Sequence, residues 1–302
     1  MGPTAAGKTA LAIELTKLFP FDIISVDSGM IYRGMDIGTA KPTLTELKIA
    51  PHRLINICDP AETYSAGQFR EDVLVEIEKI FSQGRIPLLV GGSMLYFRVL
   101  QQGIANLPKA NKEVRAKISS QGEKFGLGVL YQRLQKVDPQ TAAMLSQTDS
   151  QRIQRALEVF ELTGKSLSEL KRASPPQMPS YKIINLAMAP STRSFLETKI
   201  NERFGEMLRL GFLEEVEGLY NRGDLHLDLP SMRMVGYRQV CQYFAGKITY
   251  EQMLEQIPIA TRQLAKRQQT WLRSWPEVSW FDSENPRLLA EVAKAISTHI
   301  WE

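Results

Sequence analysis

Short apolar runs and amphipathic stretches alternate through the first hundred residues. Residues 23–26 and 86–90 are runs of strand length, bounded by polar or glycine-rich segments. Between them, a stretch from about residue 64 to 83 places apolar side chains at helical spacing: Phe69, Val73, Ile77 and Ile80. Strands without polar alternation that are separated by helices are typical of a parallel sheet covered on both faces. The pattern therefore predicts an α/β fold.

The pattern changes near residue 107, where the chain becomes basic and helical in periodicity and the strand-like runs stop. This continues to a proline-rich stretch at residues 175–179, which we interpret as the exit of an inserted helical subdomain. Residues 183–188 and 278–281 favour strands again, and helical segments lie between them. We predict a first core part over residues 1–108, a helical insertion over 109–180, and a second, mostly helical core part over 181–302.

Residues 2–9 spell a complete phosphate loop, G-x-x-x-x-G-K-T. In such a P-loop, backbone N–H groups surround phosphate oxygens, while Lys8 neutralises them and the Thr9 hydroxyl can hold Mg²⁺. A helix should follow, aiming its positive end at the same anion, with an apolar face of Leu11, Ala12, Leu15 and Leu18. Eight defined positions argue against a chance glycine-rich turn. The motif predicts binding of a diphosphate or polyphosphate, without saying whether that phosphate is transferred.

A buried strand normally precedes a P-loop, and here the loop begins at Gly2. Either the chain starts a few residues late, or another segment takes that place in the sheet. We therefore expect the loop to be less well supported than usual.

Charge is divided unevenly along the 302 residues, whose formal net charge is +4. Residues 109–182 carry +6, residues 233–273 carry +5, and the remainder sums to −7. Two basic zones on an acidic body indicate a polyanionic partner larger than a small ligand, although solvated helix faces would give the same count. No apolar run approaches a membrane span or a signal peptide, so we expect no membrane partner.

Cysteine and histidine are scarce. The cysteines, Cys58 and Cys241, are distant in sequence and outside any C-x-x-C spacing, and there are three histidines. This usage favours reduced, buried thiols in a cytoplasmic protein and argues against a structural zinc.

Asp27 follows the first predicted strand and should face the P-loop, because ligands of parallel sheets lie outside the carboxyl ends of the strands. The same rim should carry Ser28 and residues 91–93. Asp27 could bind Mg²⁺ through water, act as a general base, or merely cap a turn. The strand at residues 86–90 ends without an acid, so the predicted site is less well equipped for nucleotide hydrolysis.

These motifs occur with others in a characteristic order. The further segments are Ile37-Gly38-Thr39-Ala40-Lys41-Pro42, Gly91-Gly92-Ser93-Met94-Leu95-Tyr96, residues 149–158 (DSQRIQRALE), Val235-Gly236-Tyr237-Arg238, and residues 261–268 (TRQLAKRQ). The chain resembles the bacterial tRNA dimethylallyltransferases (tRNA isopentenyltransferases) nearly end to end. It departs from them in lacking the strand before Gly2.

The resemblance implies transfer of a dimethylallyl group from dimethylallyl diphosphate to N6 of the adenine just 3′ of the anticodon. Asp27 would take the N6 proton, Mg²⁺ would lie on Thr9, and Lys8 would neutralise the leaving diphosphate. Diphosphate would contact Gly2, Pro3, Thr4, Ala5, Ala6, Gly7, Lys8 and Thr9. Arg203 is a further candidate clamp, and a surface helix arginine is the alternative.

The resemblance also implies that the insertion and parts of the core bind the anticodon arm of tRNA, with the target base splayed or flipped out. The target nucleotide would meet Asp27, Ser28, Gly29 and Met30. Further contacts would come from Ser93, Arg115, Gln151, Arg152, Ile153, Gln154, Arg155, Arg233, Met234, Val235, Gly236, Tyr237, Arg238, Lys266, Arg267, Gln268, Gln269, Thr270, Trp271, Leu272 and Arg273. Helical spacing places Arg262, Lys266 and Arg273 on one face and Leu264, Trp271 and Trp275 on the other, so we predict that these aromatic side chains pack in the core.

Three alternatives stay open. A P-loop kinase of small metabolites explains the loop and Asp27 but not the basic zones. An isopentenyltransferase acting on free adenine nucleotides would not need residues 151–155 or 266–273. A tRNA-binding protein with a relict P-loop would not need intact Lys8, Thr9 and Asp27. We expect a monomer.

Overall fold

Three parallel strands form the sheet of the first hundred residues. The computed structural model describes residues 1–105, 107–174 and 180–300. In it, β1 (Phe21–Val26) pairs with β2 (His52–Arg53) on one side and with β3 (Ile86–Gly91) on the other. Val26 is in register with Gly91, so β1 and β3 end together. A Cβ atom on Gly91 would lie 2.0 Å from the Val26 carbonyl oxygen, and this close approach requires glycine.

Helices cover this sheet as predicted. The stripe on α3 (Ala66–Ser82) is confirmed, since Phe69, Val73, Ile77 and Ile80 are all buried. A capping box starts α3, in which the Ser65 hydroxyl accepts from the Gln68 N–H and the Gln68 side chain accepts from the Ser65 N–H. Two shorter helices belong to the same region: α2 (Leu44–Ile49) and α4 (Met94–Gln102).

The helix after the P-loop, α1 (Lys8–Leu18), packs differently from the prediction. Ala12 and Leu15 are buried, but Leu18 is 57% exposed and Ile13 is buried instead. The reason is that α1 has two neighbours. Ala12 and Ile13 join the cluster on β1, while Leu15 packs with the apolar face of α14 (Leu288–Ile300). A helix held from two sides buries more than one stripe.

The second sheet pairs β4 (Asn185–Ala189) with β5 (Val278–Asp282) in parallel. Met1 extends this pairing, because its ammonium donates to the Leu186 carbonyl at 2.7 Å and the Met188 N–H donates to the Met1 carbonyl at 2.9 Å. β4 therefore anchors the entry to the P-loop that we expected to be poorly supported. The predicted burial of residues 86–90 is incomplete, because in the described ranges β3 has a strand on one side only.

Four further helices complete this part of the chain: α10 (Arg193–Arg209), α11 (Phe212–Tyr220), α12 (Tyr237–Phe244) and α13 (Tyr250–Arg273). Their apolar faces pack on the segment after β1, where Ile31, Tyr32 and Met35 are buried. Residues 1–99 and 181–302 together make one compact unit. None of the helices within the described ranges is both long and apolar enough to span a membrane.

Residues 100–180 make a second compact unit. Its described elements are α5 (Lys112–Phe125), α6 (Leu127–Val137), α7 (Pro139–Ala143), α8 (Ser150–Thr163) and α9 (Leu167–Ala173). Their core includes Ile118, Leu130, Leu134, Ile153 and Leu157. The boundaries inferred from sequence, 108/109 and 180/181, stay predictions, and the proline-rich exit at 175–179 lies outside the described residues.

Candidate active site

The P-loop curls because two of its residues adopt left-handed backbone angles. Ala5 has φ 61° and Gly7 has φ 82°, and Gly7 is the N-cap of α1. The Lys8 ammonium turns back across the loop and donates to the Pro3 carbonyl at 2.5 Å. Thr9 is half-buried at the start of α1, and no described residue bonds its hydroxyl. The loop thus presents a helix N-terminus, a cation and a free hydroxyl together.

Arg203 reaches this loop from α10. Its Nη1 donates to the Thr4 hydroxyl at 3.3 Å, and its Nη2 donates to the Thr39 carbonyl at 3.2 Å. The guanidinium is therefore a member of the P-loop site, and the alternative of a surface helix arginine is wrong. Two cations, Lys8 and Arg203, therefore meet at the P-loop.

Asp27 directly follows β1, and its carboxylate attracts both cations. Its Oδ1 accepts from the Gly29 N–H at 2.8 Å and from the Met30 N–H at 3.4 Å. Within the described residues, hydrogen bonds reach only this oxygen, which leaves Oδ2 open to a ligand. The turn-capping alternative is thus correct for Oδ1, and it holds the carboxylate in place without occupying its second oxygen.

Burial and charge set the pKa values of the two cations. Burial lowers the pKa of Lys8 to about 8, with the Asp27 carboxylate opposing this shift and Arg203 adding to it. Burial also lowers the pKa of Arg203, again against the attraction of Asp27. An anion bound between them would favour the charged form of Lys8.

The predicted rim is assembled by hydrogen bonds between the ends of β1 and β3 and the residues that follow them. The Ser28 N–H donates to the Ser93 hydroxyl at 2.9 Å, and the Ser93 N–H donates to the Val26 carbonyl at 3.2 Å. Gly2, Asp27 and Gly92 therefore lie on one edge, where an added Cβ on Gly92 would stand 3.1 Å from the Gly2 carbonyl oxygen.

Two residues that organise this edge were not recognised as such from the sequence. Glu215 of α11 accepts from the backbone N–H groups of Asp36, Ile37 and Gly38 at 2.7, 2.7 and 3.1 Å. It thereby shapes the segment whose Thr39 carbonyl binds Arg203. Gln268 of α13, which we predicted to contact RNA, hydrogen-bonds to Thr4 and Gly92.

Several side chains predicted to contact tRNA are buried. Ile153, Tyr237 and Leu272 have no exposed surface, being 0% accessible. Tyr237 donates from its hydroxyl to Glu215 at 2.6 Å. These three side chains are core, because the apolar faces of α8, α12 and α13 point inward. The prediction that the aromatic side chains of this segment pack in the core is met only in part, because Trp271 and Trp275 are half-buried, with the Arg98 guanidinium 5.6 Å from the ring centre of Trp271.

Two predicted arginines of the helical unit are held by a buried carboxylate. Glu158 of α8 is 0% exposed and accepts from Arg155 at 2.6 Å, Arg115 at 3.0 Å and the Asn111 N–H at 2.7 Å. These arginines pull its pKa down against the opposing effect of burial. Glu158 therefore fixes the direction of both guanidiniums.

The remaining predicted RNA contacts vary in exposure. Gln151, Arg152, Arg233, Arg238, Lys266, Arg267, Thr270 and Arg273 are exposed, whereas Gln154, Met234, Val235 and Gln269 are half-buried and Gly236 is buried. Of the exposed arginines, Arg152 and Arg233 pair with Asp149 and Asp228. The basic residues of α13 have no carboxylate partner within the described part of the chain, so they remain free to meet phosphates.

Known proteins share this sequence and architecture. The IPP transferase family model matches residues 30–275. A tRNA dimethylallyltransferase of Coxiella burnetii is 54% identical over 292 residues, covering 97% of each chain. The solved tRNA isopentenylpyrophosphate transferase of Bacillus halodurans is 34% identical, with a TM-score of 0.72, over 98% of this chain and 94% of that chain. A eukaryotic dimethylallyltransferase acting on tRNA is 26% identical, with a TM-score of 0.82, over 99% of this chain and 77% of its own. The resemblance is confirmed, and this chain belongs to the IPP transferase family of transferases.

Proposed function

We propose that this transferase moves a dimethylallyl group from dimethylallyl diphosphate to N6 of the adenine 3′-adjacent to the anticodon in tRNA, releasing diphosphate. The observation that carries the proposal is the P-loop site itself: Lys8 bonds the Pro3 carbonyl, Arg203 bonds the Thr4 hydroxyl, and the Asp27 carboxylate attracts both cations. Two cations suit the leaving group, and a carboxylate with one free oxygen suits the acceptor amine.

The two cations would stabilise the leaving diphosphate. As the allylic C–O bond breaks, its electron pair moves onto the diphosphate, whose negative charge grows. Lys8 and Arg203 lie where that charge develops, and buried charges of this kind stabilise a transition state strongly. Thr4 aids them, because its hydroxyl already accepts from Arg203.

Asp27 would act on the adenine that accepts the dimethylallyl group. The N6 amine of adenine is a poor nucleophile, so its attack on the allylic carbon is helped by removal of the amine proton. Asp27 Oδ2 accepts that proton, while Oδ1 stays bonded to Gly29 and Met30. The products are N6-alkylated adenine, diphosphate and a proton on the carboxylate.

A divalent cation fits the residues present. Mg²⁺ is commonly bound by one or two protein oxygens together with substrate phosphates, and the unbonded Thr9 hydroxyl at the start of α1 would supply such an oxygen. When bound, Mg²⁺ supplies positive charge to the diphosphate oxygens. The described residues contain no cluster of three or more His, Cys, Asp or Glu side chains that could hold a metal alone.

The RNA surface would use the exposed basic side chains. In the larger unit these include Arg238, Lys266, Arg267 and Arg273, and in the helical unit Arg152 lies exposed on α8. Phosphate contacts of this type supply most of the affinity of a protein for an RNA backbone. A monomeric state and a cytoplasmic location, where tRNA is found, stay predictions.

One labelling experiment tests the proposal. The protein, Mg²⁺ and labelled dimethylallyl diphosphate are incubated in parallel with tRNA and with AMP, and label is followed into each acceptor. We expect label in tRNA only, with loss of transfer when the metal is chelated. Label in AMP would favour the free-nucleotide enzyme. Absence of transfer, together with phosphate transfer from ATP, would favour the kinase.

A further inference from the structure

Gln268 occupies an unusual place for a residue of a helix predicted to face RNA. Its side-chain Oε1 accepts from the backbone N–H of Thr4 at 2.8 Å, and its Nε2 donates to the carbonyl of Gly92 at 2.9 Å. An added Cβ on Gly92 would stand only 2.4 Å from that nitrogen. The amide therefore lies in a slot that exists because residue 92 is glycine.

The two bonds join the two halves of the candidate active site. Thr4 belongs to the P-loop, and its hydroxyl is also bonded to Arg203. Gly92 directly precedes Ser93, whose hydroxyl accepts from the Ser28 N–H beside Asp27. One side chain from α13 thus links the loop that would hold diphosphate to the rim that would hold the acceptor base.

We propose that Gln268 is a positioning residue that sets the separation between the P-loop and the Asp27 rim, and that it is not an RNA contact. The proposal rests on the prenyl transfer proposed above. The bridge needs one acceptor and one donor at fixed places, and a neutral primary amide offers both. A carboxylate would keep the bond to Thr4 but lose the bond to Gly92, and alanine would lose both.

Small displacements matter in such a site, since a misplacement of about 1 Å can cost about 100-fold in rate. We therefore expect Gln268→Ala to lower single-turnover transfer by about 10- to 100-fold. The affinity for tRNA should stay within about twofold of the wild-type value. An uncharged side chain neutralises no phosphate, so its removal leaves the number of counterions released on binding unchanged. We expect Gln268→Glu to bind inorganic diphosphate more weakly than Gln268→Ala, because it adds negative charge to the loop.

The experiment compares wild type, both variants and Gln263→Ala, a control on an exposed position of the same helix. It measures single-turnover transfer at saturating substrates, the dissociation constants of inorganic diphosphate and tRNA, and thermal unfolding. Gln268→Met, which keeps the length of the side chain without its bonds, replaces the alanine variant if that variant does not fold.

The expected pattern is slower transfer and altered diphosphate binding, with tRNA binding and the control unchanged. Weaker tRNA binding with normal transfer at saturation would overturn the proposal and make Gln268 an RNA contact. A variant equal to wild type in every measurement would also overturn it. A wild type that does not prenylate tRNA would instead refute the proposed function, while diphosphate binding would still report on the bridge.

Discussion

Replacement of Asp27 by asparagine isolates the proton-accepting role of this residue. Asparagine keeps an oxygen that can accept from the Gly29 and Met30 N–H groups, which now bond Asp27 Oδ1 at 2.8 and 3.4 Å. The free Oδ2 becomes an NH₂ group, which cannot take a proton. The turn should survive, and the base should be lost.

The expected magnitude follows from that single change. Loss of a positioned general base lowers the rate by about 10²- to 10⁴-fold, equivalent to about 2.7–5.4 kcal/mol in the activation free energy. A second effect must be separated from it. Asp27 helps to keep Lys8 protonated against burial, and the pKa of Lys8 is about 8 in its presence. Asp27→Asn lowers that pKa further, so at alkaline pH the variant also loses charge from the P-loop.

The assay is therefore single-turnover prenyl transfer at about pH 6.5, well below the Lys8 pKa of about 8, with saturating dimethylallyl diphosphate and tRNA. Thermal unfolding and tRNA affinity serve as controls and should match wild type. A variant within about threefold of the wild-type rate would remove Asp27 from the mechanism.

Three other predictions follow from the charged groups. Dimethylallyl diphosphate should bind most tightly below pH 8 and more weakly above it, because Lys8 loses its proton near pH 8; Lys8→Met should abolish this dependence in a pH series of dissociation constants. Glu158→Gln should destabilise the protein by about 3 kcal/mol in urea unfolding, the low end for a broken buried pair, because both arginines that bind it reach solvent. The depressed pKa of Glu158 means that its contribution to stability is present above about pH 4.5 and is lost as the pH falls through the lower folded-state value; an unchanged denaturation midpoint in the variant would refute this role. Replacing Arg238 and Lys266 together by alanine should flatten the slope of log K for tRNA against log salt by about one to two units, and an unchanged slope would leave the basic zones as solvated helix faces.

Much of the fold was predictable from sequence, because local patterns carry it. The continuous apolar runs before Asp27 and Gly91 became β1 and β3, and the stripe from Phe69 to Ile80 became the buried face of α3. The P-loop could be identified from the sequence alone, since its eight positions are contiguous. Asp27 could be placed beside the loop from the general rule that parallel strands present their carboxyl ends on one edge.

The sequence by itself therefore determined the longer strands, the phosphate loop and the strand-end acid, while tertiary structure decided which distant polar side chains complete the site. Arg203 could equally have been a surface arginine, and its bond to Thr4 joins residues 199 positions apart. Gln268 looked like one more polar residue on a basic helix, yet its partner in the P-loop is 264 positions away. Tyr237 lay in a motif associated with RNA, and burial placed its hydroxyl on Glu215. Hydropathy and spacing report which face of an element is apolar, but the partner of a polar group depends on which elements meet in three dimensions, and that is decided by the packing of the whole chain.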